Sequence, residues 1–358
     1  MNEITSARGE KAWQDVGIVY FETTLENAYR LNYTCRTANK IVLILDKSAV
    51  RTYEELYSQA YRIKWDNYFR LTNTFVVHSS VVFSKIDHSA YASLKVKDAV
   101  ADHFRDKFKE RPSVNKGAPD IYIELRIFRN ESWLGINLSG EPLFKRGYKT
   151  GTNPAPLKET LAAGLAELAG TGRYKRIIDP MAGSGTLIIE AAMKHLNIPA
   201  GRLRSTFCFQ KLKNYDPAVF SRIRKESDSR ILLNSDMEFL ACDHGDKFLQ
   251  TIRENISKAG LSQFIRVKKQ DFFKPEIDMQ NSLILFNPPY GNRLKGAADL
   301  NNFYKKIGDT LKKECRGSTA YIFTEHGELI KHIGLRTSKR VIIFNGNIEC
   351  RLLEFKMY

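Results

Sequence analysis

From residue 157 onward, short apolar runs alternate with longer amphipathic segments, and this alternation restricts the possible folds more than any other feature of the chain. Apolar runs bounded by turn residues predict strands, and apolar residues three and four positions apart predict helices. The predicted strands are 176–179, 238–242, 265–267, 283–286, 319–323, 341–344 and 350–355. Helices are predicted at 157–168 and 302–313 and from residues 184 and 246. Such alternation builds a parallel, doubly wound sheet, which binds ligands at the carboxyl ends of its strands.

A change of composition separates this region from the preceding one. Residues 147–156 read GYKTGTNPAP, where glycine, proline and asparagine suppress regular structure. We therefore predict an N-terminal α+β domain over residues 1–150 and an α/β domain over residues 151–358. In the first domain, apolar runs at 17–21, 41–45, 75–83 and 121–128 predict strands, and the patterns at 53–63 and 93–108 predict helices.

The charge balance indicates the class of partner. The chain has 56 lysines and arginines against 40 aspartates and glutamates, a net charge of +16, and such an excess attracts polyanions. The five cysteines include no C-x-x-C pair, which favours neither a disulfide framework nor a zinc site. The opening residues are polar, and no apolar run approaches the roughly 18 residues of a membrane span. These features predict a cytoplasmic protein that binds nucleic acid and neither membrane nor metal.

One strand ends in a turn suited to a small ligand. Residues 177–186 read IIDPMAGSGT, an apolar strand that ends in an acid and is followed by a Gly-x-Gly turn and an apolar helix. Glycines at such a turn let a ligand approach the backbone. Ile188 and the absence of a P-loop lysine make a dinucleotide or triphosphate less favoured. The predicted cofactor-binding residues here are Asp179, Pro180, Gly183, Ser184, Gly185 and Thr186.

Acids also end the next two predicted strands. Asp243 ends one of them, where its carboxylate is placed to accept hydrogen bonds from the two hydroxyls of a ribose. Asp271 ends the other, and Phe272 beside it is an aromatic that is able to flank an adenine. Three acids at successive strand ends predict an adenosine-containing cofactor.

The strand at 283–286 runs directly into Asn287, Pro288, Pro289 and Tyr290. Consecutive prolines hold the backbone rigid at the end of the strand. The lone pair of an exocyclic base amine is delocalised into the ring, so the amine needs acceptors that hold its hydrogens and aim the lone pair at a methyl sulfonium carbon. The Asn287 side-chain oxygen and the Pro288 carbonyl are such acceptors, and Tyr290 is an aromatic able to stack on the base. We predict that these four residues form the catalytic site.

Taken in order, D-P-M-A-G-S-G-T, C-D, Q-D-F and N-P-P-Y resemble the motifs of the Rossmann-type amino methyltransferases. More narrowly, the chain is similar over nearly its whole length to bacterial 23S rRNA guanine-N2-methyltransferases that carry a THUMP domain. Longer strings support the narrower resemblance, namely RPSV at 111–114, LSGEPLFKRGY at 138–148, APLKETLAA at 155–163 and ECRL at 349–352.

The resemblance implies a Rossmann-like methyltransferase domain, an RNA-binding THUMP region at about 53–140, and methyl transfer from S-adenosylmethionine to the N2 amine of a guanine in structured RNA, namely 23S rRNA. It also implies that Pro156, Leu157 and Lys158 lie across the methionine end of the cofactor. Family members begin with an extra strand and helix that the opening MNEITSARGEKAWQDVG lacks, so we expect a first subdomain that is incomplete or differently built.

Two basic segments are candidates for RNA contacts. Residues 201–230 interleave basic residues with the aromatics Phe207, Phe209, Tyr215 and Phe220, a composition that suits phosphate binding and base stacking and equally suits a packed helical insertion. Lys145, Arg146 and Lys149 lie beside the linker, where they could bind phosphates or form a solvated turn.

Three other functions remain open from the sequence. A tRNA guanine-N2-methyltransferase would have the same layout, and N-P-P-Y also suits a DNA adenine-N6-methyltransferase. A non-catalytic RNA chaperone could keep the fold, although intact Asn287 and Asp243 argue against it.

Overall fold

The computed structural model describes residue 3 and residues 10–15, 17–150, 157–289, 297–325 and 327–358. It divides the chain into two compact units, one comprising Met1–Leu143 with Arg204–Ser227 and the other Phe144–Leu203 with Asp228–Tyr358. This division differs from a single cut at residue 150, because residues 204–227 pack with the first unit. In the part of the chain described, no helix combines the length and the apolar character needed to cross a membrane.

The first unit is an α+β structure. A hairpin of β1 and β2 precedes a four-stranded sheet of order β3-β6-β5-β4, in which only β4 and β5 are parallel. Side chains of β5 alternate between buried and half-buried, as expected for a sheet with one face on the core. The elements are β1 Glu10–Asp15, β2 Ile18–Glu22, α1 Leu25–Thr34, β3 Val42–Ala49, α2 Tyr53–Arg62, β4 Phe75–Val82, α3 Ser89–Phe108, β5 Ile121–Phe128 and β6 Glu131–Asn137.

The aromatic residues of the basic insertion lie in the core of this unit. Phe207, Phe209 and Phe220 are at most 5% exposed, and Phe209 stacks on Tyr29 with ring centroids 4.3 Å apart. The hypothesis that these three rings stack on RNA bases is therefore wrong, because burial in the core satisfies them. Tyr215 packs partly buried against the same cluster.

The predicted basic contacts of the insertion are also occupied. The Arg204 guanidinium donates to the carbonyls of Pro142 and Glu141 at 2.9 Å each. Lys211 lies 3.4 Å from a carboxylate oxygen of Asp120, and Lys213 donates to the Asp66 carbonyl at 2.8 Å. The insertion is thus held to the first unit by both apolar packing and hydrogen bonds.

The second unit is a seven-stranded sheet of order β12-β13-β11-β10-β7-β8-β9 with helices on both faces. Strands β11, β10, β7, β8 and β9 are mutually parallel, whereas β13 is antiparallel to both of its neighbours. The prediction of a doubly wound α/β fold is confirmed. The elements are α4 Glu159–Ala169, β7 Arg176–Asp179, α5 Thr186–His195, β8 Glu238–Asp243, α7 Asp246–Lys258, β9 Ile265–Lys269, β10 Leu283–Phe286, α8 Ala297–Glu314, β11 Thr319–Thr324, β12 Lys339–Asn345 and β13 Ile348–Lys356. Helix α6, Pro217–Asp228, follows α5 in the chain but lies in the insertion, most of which packs with the first unit.

The strand order creates a switch point in the middle of this sheet. From β7 the chain proceeds outward through β8 to β9 and then returns to the other side of β7 as β10. In such sheets the crevice for a ligand lies outside the carboxyl ends of the strands where the order reverses. The carboxyl ends of β7 and β10 are therefore the expected location of a site.

Candidate active site

The turn after β7 is built around two glycines in left-handed conformation. Gly183 has φ +58° and Gly185 has φ +78°, values that other residues adopt only with strain. The Gly185 N–H donates to the Ala182 carbonyl at 2.7 Å and closes the turn directly before α5. The hydroxyls of Ser184 and Thr186 lie 2.9 Å apart at the start of this helix. The turn thus ends directly before the N-terminus of α5, and among the residues described nothing fills the space that a side chain at Gly183 would occupy.

Asp243, at the end of β8, is bonded to that turn. One carboxylate oxygen accepts the Gly183 N–H at 3.0 Å, and the other accepts the Gly245 N–H at 3.0 Å. Each oxygen can accept a further hydrogen bond, because an ionised carboxylate has about four acceptor positions. Asp243 therefore retains the capacity to bind two ribose hydroxyls while it fixes the glycine turn.

Asp179 ends β7 and is only 2% exposed. Burial raises the pKa of its carboxyl group well above the usual value, the Met181 N–H lowers it, and the nearby Asp243 raises it. Pro180, the next residue, is also buried. Asp179 accordingly favours its protonated form more than a solvent-exposed aspartate does.

We expect Asp179→Asn to flatten the pH dependence of stability. A carboxyl group whose pKa is raised by folding contributes stability that is fully present below its unfolded pKa, about 3.9, and is lost as pH rises through the folded value. The variant cannot ionise at this position, so its free energy of unfolding should rise relative to wild type as pH increases from about 5 to about 8. Urea denaturation across this pH range measures the effect. The control variant is Asp236→Asn, which also removes one carboxylate but from an exposed position. Parallel wild-type and Asp179→Asn profiles would contradict the assignment.

Beyond β9 the structure separates the two predicted adenine-side residues. Asp271 is exposed, and one of its carboxylate oxygens accepts the Phe273 N–H at 2.9 Å. Phe272 is 3% exposed and packs on Phe286 with ring centroids 5.4 Å apart, so its ring belongs to the core. Asp271 is therefore accessible to a ligand at this edge, whereas the Phe272 ring packs against β10 in the core.

Gln270 is a site residue that the sequence did not single out. Its side-chain oxygen accepts the N–H groups of Glu276 and Ile277, and its backbone N–H donates to the Asp243 carbonyl at 3.0 Å. Its side-chain nitrogen is buried and has no hydrogen-bond partner among the residues described. An unsatisfied buried donor is costly, so its presence next to two acids fits a ligand with both acceptors and hydroxyls, such as adenosine.

The predicted amine-binding residues follow β10 directly. Phe286 is fully buried, Asn287 is half-buried, Pro288 is buried and Pro289 is half-buried. The predicted catalytic Tyr290 and the predicted cofactor residue Pro156 lie outside the described residues. The part described is therefore a rigid Asn-Pro-Pro segment at the carboxyl end of a central strand.

Strand register brings the two motifs together. β7 and β10 are adjacent and parallel, with Ile178 opposite Ile284. In this register, Asp179 at the end of β7 and Asn287 after the end of β10 are only about two residues apart along the strand direction. Adjacent strands lie only about 4.8 Å apart, so a cofactor on the turn and a base on the Asn-Pro-Pro segment share one edge of the sheet.

Comparisons with known proteins agree with this geometry. The sequence profile of the family described as RMKL-like, methyltransferase domain, matches residues 146–354, and that of the THUMP domain matches residues 50–137. The chain belongs to the RMKL-like methyltransferase family. The predicted combination of a THUMP domain with a methyltransferase domain of this family and the predicted fold class are thereby confirmed.

Individual relatives support the same assignment. The ribosomal RNA large subunit methyltransferase K/L of Psychromonas ingrahamii is 34% identical over 97% of this chain and 47% of its own length. This chain thus spans about half the length of that relative. The slr0064 protein of Synechocystis sp. is 31% identical over 99% of this chain and 93% of its own length. The crystal structure of SMU.472 complexed with SAH has a TM-score of 0.88 at 26% identity and covers 100% of this chain and 94% of its own.

Leu157 and Lys158, the last two of the predicted cofactor-binding residues, lie at the start of the methyltransferase domain. Leu157 is 9% exposed and joins the core, and its carbonyl accepts a hydrogen bond from Lys149 at 2.6 Å. Lys158 is exposed, precedes α4 and lies over the Phe144 ring at 5.4 Å. Their contact with a cofactor remains a proposal.

Two of the three basic residues beside the linker, Arg146 and Lys149, are already paired with carboxylates. Arg146 is 1% exposed and lies 3.5 Å from Glu190, and Lys149 lies 3.1 Å from Glu159. The hypothesis of phosphate contacts is therefore wrong for these two residues, because Arg146 is buried beside a carboxylate and the half-buried Lys149 forms an ion pair with another. Lys145 is exposed.

A buried polar network connects residues 146–150 to α5, the helix that begins at the glycine turn. Glu190, in α5, is 0% exposed and accepts a hydrogen bond from the Tyr148 hydroxyl at 3.0 Å as well as facing Arg146. Asn255, in α7, donates to the Ser184 carbonyl at 2.8 Å and accepts the Thr150 N–H at 2.7 Å. Both residues hold residues 146–150 against the glycine turn and the helix that follows it. Their only signal in the sequence is a polar residue on an otherwise apolar helix face.

Among the residues described, no group of three or more His, Cys, Asp or Glu side chains is placed to hold a metal ion.

Proposed function

We propose that this chain transfers a methyl group from S-adenosylmethionine to the exocyclic N2 amine of a guanine in 23S rRNA. The observation that supports it most directly is the parallel register of β7 and β10, since it gives the glycine turn and the Asn-Pro-Pro segment a common edge. The THUMP domain and the name of the K/L relatives support RNA of the large ribosomal subunit as the substrate. On this proposal the chain acts in the cytoplasm.

The residues of the site suit each part of such a reaction. When bound, S-adenosylmethionine supplies an electrophilic methyl group on a sulfonium centre. Asp243 accepts hydrogen bonds from the ribose hydroxyls, Asp271 binds on the adenine side, and the ligand approaches the backbone of the turn at Gly183, which has no side chain to block it. The side-chain nitrogen of Gln270 is a donor and the carboxylates of Asp243 and Asp271 are acceptors. Adenosine has ring nitrogens that accept and hydroxyl and amino groups that donate, so it matches both.

At the other half of the site, Asn287 and Pro288 prepare the nucleophile. The Asn287 side-chain oxygen and the Pro288 carbonyl oxygen each accept one hydrogen of the guanine amine, and this fixes the direction of the nitrogen lone pair. Positioning of this kind removes much of the entropic barrier to a two-substrate reaction. Because bases in an RNA helix are stacked and paired, the target guanine is unpaired or extruded from its stack when it binds.

An in vitro transfer assay tests the proposal. The purified chain is incubated with S-adenosylmethionine carrying a labelled methyl group and, separately, with 23S rRNA, tRNA and duplex DNA, and the products are digested to nucleosides. We expect label in 23S rRNA as N2-methylguanosine. Label in tRNA alone or on adenine in DNA would replace the substrate proposed here, and absence of label from all three would refute the enzymatic proposal.

A further inference from the structure

A basic cavity lies at the end of the sheet farthest from β9. It has a volume of about 520 Å³ and is lined by the 3₁₀ helix Gly327–Ile333, the turn that follows it, and Arg340 of β12. Lys331, Arg336 and Arg340 supply three exposed cations, and Glu328 is the acidic residue of the lining. Within the described chain, no ion pair or hydrogen bond engages the side chains of these three cations. With three cations against the one carboxylate of Glu328, the lining therefore carries a net positive charge.

Exposed apolar side chains continue from this cavity along the edge strand. Side chains of β12 alternate between the two faces, so Arg340, Ile342 and Phe344 share one face. Arg340 is paired with Leu353 of β13, and paired residues point to the same face of a sheet. Leu353 packs in the core cluster that includes residues of α8, so Arg340, Ile342 and Phe344 lie on the face of the sheet that α8 covers. Ile342 is 57% exposed and Phe344 is 63% exposed, unusual values for large apolar residues of a strand.

Strand register relates this strip to the reacting edge of the sheet. Ile342 is opposite Arg351, which is opposite Thr324, the last residue of β11. Phe344 thus lies two residues beyond the carboxyl end of β11, at the same edge as the Asn-Pro-Pro segment that follows β10. Three strand spacings, about 14 Å, separate β12 from β10, a distance that a few nucleotides span.

We propose that the cavity and Phe344 bind a single-stranded segment of the substrate RNA next to the target nucleotide. This inference rests on the proposed function. Lys331, Arg336 and Arg340 neutralise backbone phosphates, and Phe344 offers a face on which a base stacks. A second copy of this chain is a poorer occupant, because a symmetric interface uses the same positively charged surface on both copies.

Binding of a short, unstructured single-stranded RNA of mixed sequence, measured by fluorescence anisotropy over a series of salt concentrations, tests this site. The variant Arg336→Ala/Arg340→Ala is compared with Arg253→Ala/Lys258→Ala, which removes two exposed cations from α7 on the opposite face of the sheet. Removal of one phosphate-binding cation lowers the slope of log affinity against log salt by about 0.7, so we expect a decrease of about 1.4 only in the cavity variant. Phe344→Ala should weaken binding about 5- to 100-fold.

The outcomes separate this site from the proposed function. Equal salt slopes for the cavity variant and its control, with Phe344→Ala binding as wild type does, would overturn the proposal. A change in oligomeric state of Phe344→Ala by analytical ultracentrifugation, with unchanged RNA affinity, would overturn it in favour of a protein interface. Because binding is measured without turnover, a wild-type chain that binds RNA through this cavity and yet methylates no RNA would refute the proposed function alone. In the transfer assay, the cavity variant should raise KM for RNA and leave kcat unchanged.

Discussion

Asn287→Ala is expected to lower kcat for methyl transfer by at least about 100-fold, the usual consequence of removing one well-placed polar group from a reacting centre. The variant loses the acceptor that holds one amine hydrogen, so the lone pair is no longer aimed at the methyl group. Asn287 follows the fully buried Phe286 and precedes two prolines, so the backbone around it should persist. Single-turnover assays measure the rate, and calorimetric titration measures the affinity for S-adenosylmethionine, which should be unchanged.

A matched control separates catalysis from stability. Asn234 is exposed in the loop before β8, at the amino edge of the same sheet, so Asn234→Ala removes the same side chain from the opposite edge. It should retain wild-type kcat. If Asn287→Ala keeps more than about a tenth of wild-type kcat, the role assigned to Asn287 is contradicted.

Glu190→Ala is expected to lower the free energy of unfolding by about 3–5 kcal/mol, because removal of one partner leaves a buried charge uncompensated. The remaining partners are the Arg146 guanidinium and the Tyr148 hydroxyl, both at most 1% exposed. Burial, together with the neighbouring Glu190, raises the pKa of Tyr148 well above its usual value, so this hydroxyl stays protonated and needs an acceptor. Urea denaturation at neutral pH measures the change.

A more exposed ion pair between α4 and the same helix α5 provides the comparison. Lys194 of α5 lies 2.9 Å from Glu167, whose side chain is 56% exposed. Glu167→Ala should cost at most about 1 kcal/mol, as is usual for a surface pair. Glu190→Gln should be milder than Glu190→Ala, since the amide oxygen still accepts from Tyr148. If Glu190→Ala costs no more than Glu167→Ala, the buried network does not hold the linker to the glycine turn.

The features predicted correctly from the sequence are those that local patterns determine. The strand that ends at Asp179, the glycine turn and the strand that leads into Asn287 were all recognisable, because apolar runs, left-handed glycines and paired prolines act within a few residues. A ligand site at the carboxyl ends of these strands was then expected from the general behaviour of doubly wound sheets, whereas the adjacency of β7 and β10 was seen only in the folded chain.

The features that were missed or wrongly interpreted depend on partners distant in sequence. Phe207 and Phe209 have the composition of a stacking surface, and only the folded chain shows that they fill the core of the first unit. Arg146 was a candidate phosphate ligand because its partner Glu190 lies 44 residues away. Strand β6 was not predicted, because Gly135 within it weakens the strand pattern; a Cβ there would overlap the carbonyl oxygen of Leu43 on the paired strand.

Mass spectrometry of the nucleosides of large-subunit ribosomal RNA from a strain that lacks this gene shows directly whether the chain methylates a guanine of that RNA. We expect that one N2-methylguanosine is lost, that the wild-type gene restores it, and that the Asn287→Ala gene does not. An N2-methylguanosine content that is unchanged by the deletion would refute the proposed methylation.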